Sequence, residues 1–334
     1  MRRVLFFSLF AAFWTVSVTS CDKDDDFDAE ILEGIDEQGA IVGKFSVSPN
    51  LQVQFSRGNL QYQASTNTWK FADHQYDVVG NGNNKRSETY NGWIDLFFRG
   101  TSGNDNLLPP YASSCYYDAD SVFWYTDYGE PSNWYFIKCD ISKTKWDWGS
   151  NAISNGGNRP NKWWTLNSTQ WEYLIHRRDN ADKLLGVANV NKRYGLVILP
   201  DNWERPEEVN FDAISDSKKI KFETYNDIGN SGYSGEFPIN KYSKSEWAKM
   251  QQNGAVFLPM AGFANYFTTD ANSAGYYYEN SDINIDGWYM VSDYYPFIAY
   301  SPTCYVMSFS SYRIVIDGWG QEYAVPVRLV KDAE

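Results

Sequence analysis

Strand-forming runs of only four to seven residues, cut off by Gly, Asn or Pro, recur along this chain and limit what it can fold into. They are Lys44–Ser48, Gln52–Ser56, Leu60–Gln63 and Thr68–Ala72 early on, then Leu196–Leu199, Ala255–Leu258, Cys304–Phe309 and Ala324–Val330. Runs this short, punctuated by turn formers, read as strands joined by tight turns. Helix signals are few. Asn167 or Ser168 is placed to cap a helix that carries Trp171, Leu174 and Ile175 on one face. Ser243–Gln252 is a second, with Trp247 and Met250 spaced to face a core. Many strands with two or so short helices make an α+β chain with a loop-rich periphery. No Pro/Ser-rich linker interrupts residues 44–334, so they read as one domain.

Aromatic residues make up 18% of the chain, with 14 Trp, 25 Tyr and 20 Phe, and many are adjacent in sequence. Of two neighbours in a strand only one can face a given core, so its partner is left outward or stacked in an outer layer. Flat rings beside Asn and Asp suit sugars, which offer an apolar C–H face and a hydroxyl rim. Rigid Tyr and Trp suit protein partners too. The expectation is an outward platform built from Trp134, Tyr135, Tyr276, Tyr277, Trp288, Tyr289 and Tyr294.

The N-terminus carries an address. Arg2 and Arg3 precede an apolar run from Val4 to Val18, too short for a comfortable membrane span, so residues 1–20 read as an export signal. Val18-Thr19-Ser20-Cys21 is similar to a bacterial lipobox, which implies acylation of Cys21; cleavage nearby with Cys21 as an ordinary thiol is the alternative. Residues 21–43, opening Asp22-Lys23-Asp24-Asp25-Asp26, read as an acidic, extended tether. An acidic stretch after the lipidated cysteine resembles the signal that takes Bacteroidetes lipoproteins to the outer leaflet, which implies outer-membrane surface display. The membrane is then met through the lipid alone. With 29 Lys+Arg against 42 Asp+Glu, a net charge of −13 makes nucleic acid a poor partner.

Further blocks carry a wider resemblance. Trp163-Trp164-Thr165-Leu166 leading into Gln170-Trp171-Glu172-Tyr173-Leu174, Gly195–Trp203, Gly254–Gly262 and Ala324–Val330 resemble, in order, the Fibrobacter major paralogous domain family. Phe55–Tyr62 and Gly92–Phe97 are similar to the N-terminal half of Bacteroidales surface proteins of that group. The resemblance implies a C-type-lectin-like fold, shared with formylglycine-generating enzymes. Those enzymes use a nearby cysteine pair to hold copper, whereas Cys304 has no cysteine two to six residues away. The family's Trp-Ser pair is also missing from Gly287-Trp288-Tyr289-Met290-Val291-Ser292.

Two histidines, His74 and His176, exclude a three-histidine zinc site within the chain. With Cys21 lipidated, Cys115, Cys139 and Cys304 allow one disulfide at most, and three buried thiols fit as well. Asp282, Asn284, Asp286 and then Gly287 follow the calcium-loop template, with Asp293 at the twelfth position in place of Glu. A β-hairpin accounts for the same residues, because Ile283 and Ile285 alternate and no helices flank them. Calcium aside, no cofactor is expected. The residues point to a surface lipoprotein that binds a glycan without catalysis. A protein-binding adhesive module and an enzyme related to the sulfatase-modifying fold are the alternatives. Replacing Cys21→Ser should abolish incorporation of a labelled fatty acid and leave the leader uncleaved, as read by mass spectrometry of the purified chain.

Overall fold

The computed structural model describes residues 34–104, 108–112, 137, 139–214, 220–222, 236–268, 276–281, 283–295, 303–321 and 323–334. The fold is mixed α+β, strand-rich with few short helices. Cys21, Cys115, Trp134, Tyr135 and Asp282 lie outside the described residues.

The strands Gly287–Tyr294, Thr303–Phe309 and Ile314–Gly320 form an antiparallel sheet, with Ile220–Phe222 added in parallel at its edge. Both faces of this sheet are covered. Because side chains alternate along a strand, Tyr289, Val291, Met307, Phe309 and Ile316 enter one core with Phe45, Phe55 and Trp171. Trp288, Met290, Cys304 and Val306 enter a second with Trp69, Phe97, Trp148 and Trp163. A second sheet, Val256–Pro259, Arg193–Ile198, Leu185–Val190 and Ile239–Tyr242, divides its residues in the same way. Leu196, Ile198, Val256 and Leu258 join the first core, while Val197, Leu199 and Phe257 pack on Trp247 and Met250 in a third.

The capping signals are realised. Asn167 Oδ1 accepts from the Gln170 amide at 2.9 Å, and the Gln170 side chain returns to the Asn167 amide, starting the Ser168–Glu172 helix. Ser243 and Glu246 make the same reciprocal pair ahead of Lys244–Gln252. That helix stops at Gly254, whose φ of +88° suits glycine and whose missing Cβ would lie 2.6 Å from Gly43 Cα. Arg178, just past the first helix, buries its guanidinium against Asp201 at 3.0 Å. Burial pushes the Asp201 carboxyl up, but hydrogen bonds from Ser46, Gln52 and Arg178 outweigh it and hold the group below its ordinary value.

Two sequence expectations need correction. Residues 34–43 are not an extended tether, because they are already folded: Ala40 and Ile41 are fully buried, and Ile41 donates to the Phe55 carbonyl. Asp36 is not a solvated charge. It accepts from the Gln38 and Ala40 amides and pairs with the buried Lys331 ammonium at 2.6 Å. The closing strand expected over Ala324–Val330 is two strands. Tyr323–Pro326 pairs with Leu96–Phe97 and with Phe263–Thr268, and Val330–Asp332 pairs with Leu51–Phe55. Pro326 has no N–H to continue the first ladder.

Tyr289 joins the core to a buried polar network. Its hydroxyl donates to the Pro259 carbonyl at 3.1 Å and accepts from the Asn59 side chain at 3.1 Å. Burial raises its pKa above the ordinary 10.0, so its contribution to stability is complete below pH 10 and is lost as pH rises beyond it. Tyr289→Phe, which leaves Asn59 and Pro259 without that partner, should cost about 1–2 kcal/mol. Urea melts at neutral pH read the cost, and melts above pH 10 should show a shallower alkaline decline than the parent.

Candidate functional site

The second core does not close completely. At the end of the Ile314–Gly320 strand, Trp319 lies on Trp288 with ring centroids 4.7 Å apart. Phe263 meets Trp288 at 5.3 Å and Tyr323 at 5.4 Å, and Tyr323 returns to Trp319 at 5.3 Å. Four rings thus form a closed circuit of contacts. Trp288 is its floor, only 5% exposed, while Phe263, Trp319 and Tyr323 are half-buried and keep part of their surface outward. A ladder pair and a side-chain hydrogen bond place them. Cys304 pairs across the ladder with Trp319, and Gln321 donates to the Thr303 carbonyl, which fixes the turn that carries the chain to Tyr323. Asp317, two residues before Trp319, shares its face of the strand and is half-buried.

The polar equipment of this patch is sparse. The indole nitrogens of Trp288 and Trp319 are buried without a hydrogen-bond partner. Those of Trp148, Trp171 and Trp247 are as well, so this is a habit of the protein's ring-rich interior rather than a mark of the patch alone. Beneath the neighbouring strand, Arg99 is buried and donates to the carbonyls of Val291, Cys139 and Ser292 at 3.0, 2.7 and 2.6 Å. Burial lowers its pKa, and the nearby Cys304, Asp293 and Asp140 oppose that. Its role is to tie the Cys139 segment to the strand. Cys139 is exposed and Cys304 buried, each as a thiol.

The platform expected from sequence is redistributed by this geometry. Trp288 and Tyr289 are not outward: Tyr289 is fully buried, stacked on Phe309 at 6.0 Å, and Trp288 lies under Trp319. Because the sheet has cores on both faces, strand alternation sends both neighbours inward. Tyr294, at the strand's end, is half-buried. Tyr276 and Tyr277 are described only by backbone, paired with Thr268 and Phe267. Trp319, Tyr323 and Phe263 were not singled out by sequence, where each is an isolated ring beside Gly or a polar residue; the signal in Gly318-Trp319-Gly320 is a large ring between two glycines.

The calcium reading is also corrected. Gly287 begins an extended strand, and six residues at about 3.3 Å each put Asp293 on the order of 20 Å from the turn that holds Asn284. Asp293 accepts from the Ser168 amide at 2.8 Å and from the Ser168 hydroxyl, bracing the helix start. Burial raises its pKa. Asn284, at φ +65°, accepts from the Tyr194 amide and Arg193. Asn284 and Asp293 therefore cannot converge on one ion, and Asp286 is left on the turn side. Among the described residues no group of three or more His, Cys, Asp or Glu side chains is placed to hold a metal.

His74 shares its Nδ1 with Asp77 at 3.0 Å and stacks on Tyr76, a structural arrangement. His176 is exposed.

Because Trp288 is a floor and Trp319 a rim, their removal should differ in kind. Trp288→Ala should cost about 3–5 kcal/mol in urea melts, whereas Trp319→Ala should cost clearly less and leave the near-ultraviolet circular dichroism largely in place. Equal costs would mean that the two rings are equally interior. Comparison of the chain with protein-family models, with curated proteins and with solved structures returns no match.

Proposed function

We propose that this is a lipid-anchored protein of the outer-membrane surface whose single C-type-lectin-like domain binds a glycan by ring stacking, without catalysis. The observation that carries the reading is the Phe263–Trp319–Tyr323 patch, three half-buried rings held on a buried Trp288. Rings fixed by packing on one another lose little freedom on binding, which favours recognition of a flat C–H face. The lectin-like part of the reading draws support from the first and last strands, Phe45–Ser48 and Val330–Asp332, which both flank Leu51–Phe55 in one sheet. This brings the two ends of the domain together and leaves the C-terminal sheets to carry the patch. A leader, a lipidated Cys21 and an acidic tether ending near Gly34 would hold such a domain off the bilayer.

A non-enzymatic role is favoured by how the candidate chemistry is used. Asp293 braces a helix, His74 is held by Asp77, and Cys304 packs in the second core. The test is a glycan array probed with the full chain in detergent. Binding to a defined subset is expected, with Trp319→Ala reducing the signal about tenfold, equivalent to about 1.4 kcal/mol. A uniform blank across plant, host and microbial glycans would overturn the glycan reading and leave a protein partner as the ligand to seek.

A further inference from the structure

A pull arriving along the chain from Cys21 meets residues 34–43 before any other described part of the fold. They form a hairpin closed on itself: Val42 donates to the Gly34 carbonyl at 3.0 Å, Asp36 to that of Ala40 at 2.8 Å, and Gly39 to that of Asp36 at 2.9 Å. One carboxylate fastens the hairpin twice. Asp36 Oδ1 accepts the Gln38 and Ala40 amides at 2.9 and 2.8 Å, while Oδ2 accepts from the Lys331 ammonium at 2.6 Å. The Lys331 side chain, on the Val330–Asp332 strand, is only 3% exposed, so lifting Asp36 away would leave a buried charge unpaired. The apolar anchoring is light by comparison. Ile41 enters the first core and Ala40 the second, and these two are the fully buried side chains of the segment.

Segments that bury little apolar surface open at lower free energy than strands packed on both faces. Thr303–Phe309 is a strand of the second kind, sending Met307 and Phe309 into one core and Cys304 and Val306 into another. Because the carboxylate that closes the turn is also the one that holds Lys331, losing either contact loosens the other, and the hairpin leaves as a unit. We infer that residues 34–43 are a latch, held shut by Asp36 on Lys331, which opens as one piece while the sheets that carry Phe263, Trp319 and Tyr323 stay folded. Its role in the cell rests on the lipid-anchored reading, whereas the latch itself does not. On that reading, opening adds up to about 35 Å of reach to the tether, ten residues at about 3.3–3.6 Å each, and relieves a pull before it disturbs the ring patch.

Hydrogen-exchange mass spectrometry of the full chain in detergent, at rising urea below the main transition, tests the latch. In the parent, peptides covering 34–43 are expected to exchange together and at least about tenfold faster than those covering 303–309. Asp36→Asn keeps an oxygen for the Gln38 and Ala40 amides but removes the charge that meets Lys331. It should speed exchange in 34–43 about tenfold or more, and leave 303–309 and the radical labelling of Trp319 unchanged. Lys331→Met should speed the same peptides by a smaller factor, since no buried charge is left behind. Exchange of 34–43 only in step with 303–309 in the parent would overturn the latch. Equal acceleration of both regions by Asp36→Asn, or acceleration of neither, would overturn it as well. A parent chain that takes up no labelled fatty acid would remove the anchored role and leave the exchange result standing.

Discussion

The central sheet of Gly287–Tyr294, Thr303–Phe309 and Ile314–Gly320 packs a core against each of its faces, and the rest of the fold is arranged around that constraint. Each strand must supply apolar side chains at both parities, one set to the core of Phe45, Phe55 and Trp171 and the other to the core of Trp69, Trp148 and Trp163. Large rings fill the space between layers that contain little helix. Two adjacent aromatics, such as Trp288 and Tyr289, are then both useful inside. What remains outward is decided by where a core runs out, and one such place on the second core is the Phe263, Trp319 and Tyr323 edge.

A fold with so much loop must satisfy many backbone groups away from regular ladders, and buried carboxylates do this repeatedly. Asp147 is fully buried and accepts from the amides of Lys143, Gly149 and Thr165 and from the Thr165 hydroxyl. Asp95 accepts from the Val79 amide and from Asn83, whose own oxygen takes the Asp95 and Leu96 amides. Burial raises both carboxyls, and the hydrogen bonds counter it. Arg328 is the cationic counterpart. Its guanidinium is buried among Gln75 and the Phe257 carbonyl, with its pKa pushed down to about 10 by burial. Such groups stabilise little on balance, but they leave few alternative packings for the segments they tie.

Local signals were the legible part of this molecule. The capping residues Asn167 and Ser243, the buried faces of Trp171 and Trp247, and strands such as Leu60–Gln63 follow from neighbours in sequence. Residues 34–43 were not legible as folded, because Asp36 and Glu37 continue the acidity of the stretch before them and the cation that pairs with Asp36 comes from the distant Lys331. The outward or inward fate of a ring was likewise hidden. It depends on whether a second layer covers the strand, which no local pattern encodes. Trp319 becomes prominent only once Cys304 across the ladder and Trp288 beneath it are in place.

The account therefore depends on a sorting of rings: Trp288 and Tyr289 inside, Trp319 and Tyr323 at the rim. Hydroxyl-radical footprinting of the native chain with residue-level mass spectrometry measures this directly. Trp319 and Tyr323 should be oxidised at rates well above those of Trp288 and Tyr289, which should react only on unfolding. Oxidation of Trp288 or Tyr289 in the native state at the rate of Trp319 would contradict the two-faced sheet and the patch built on it.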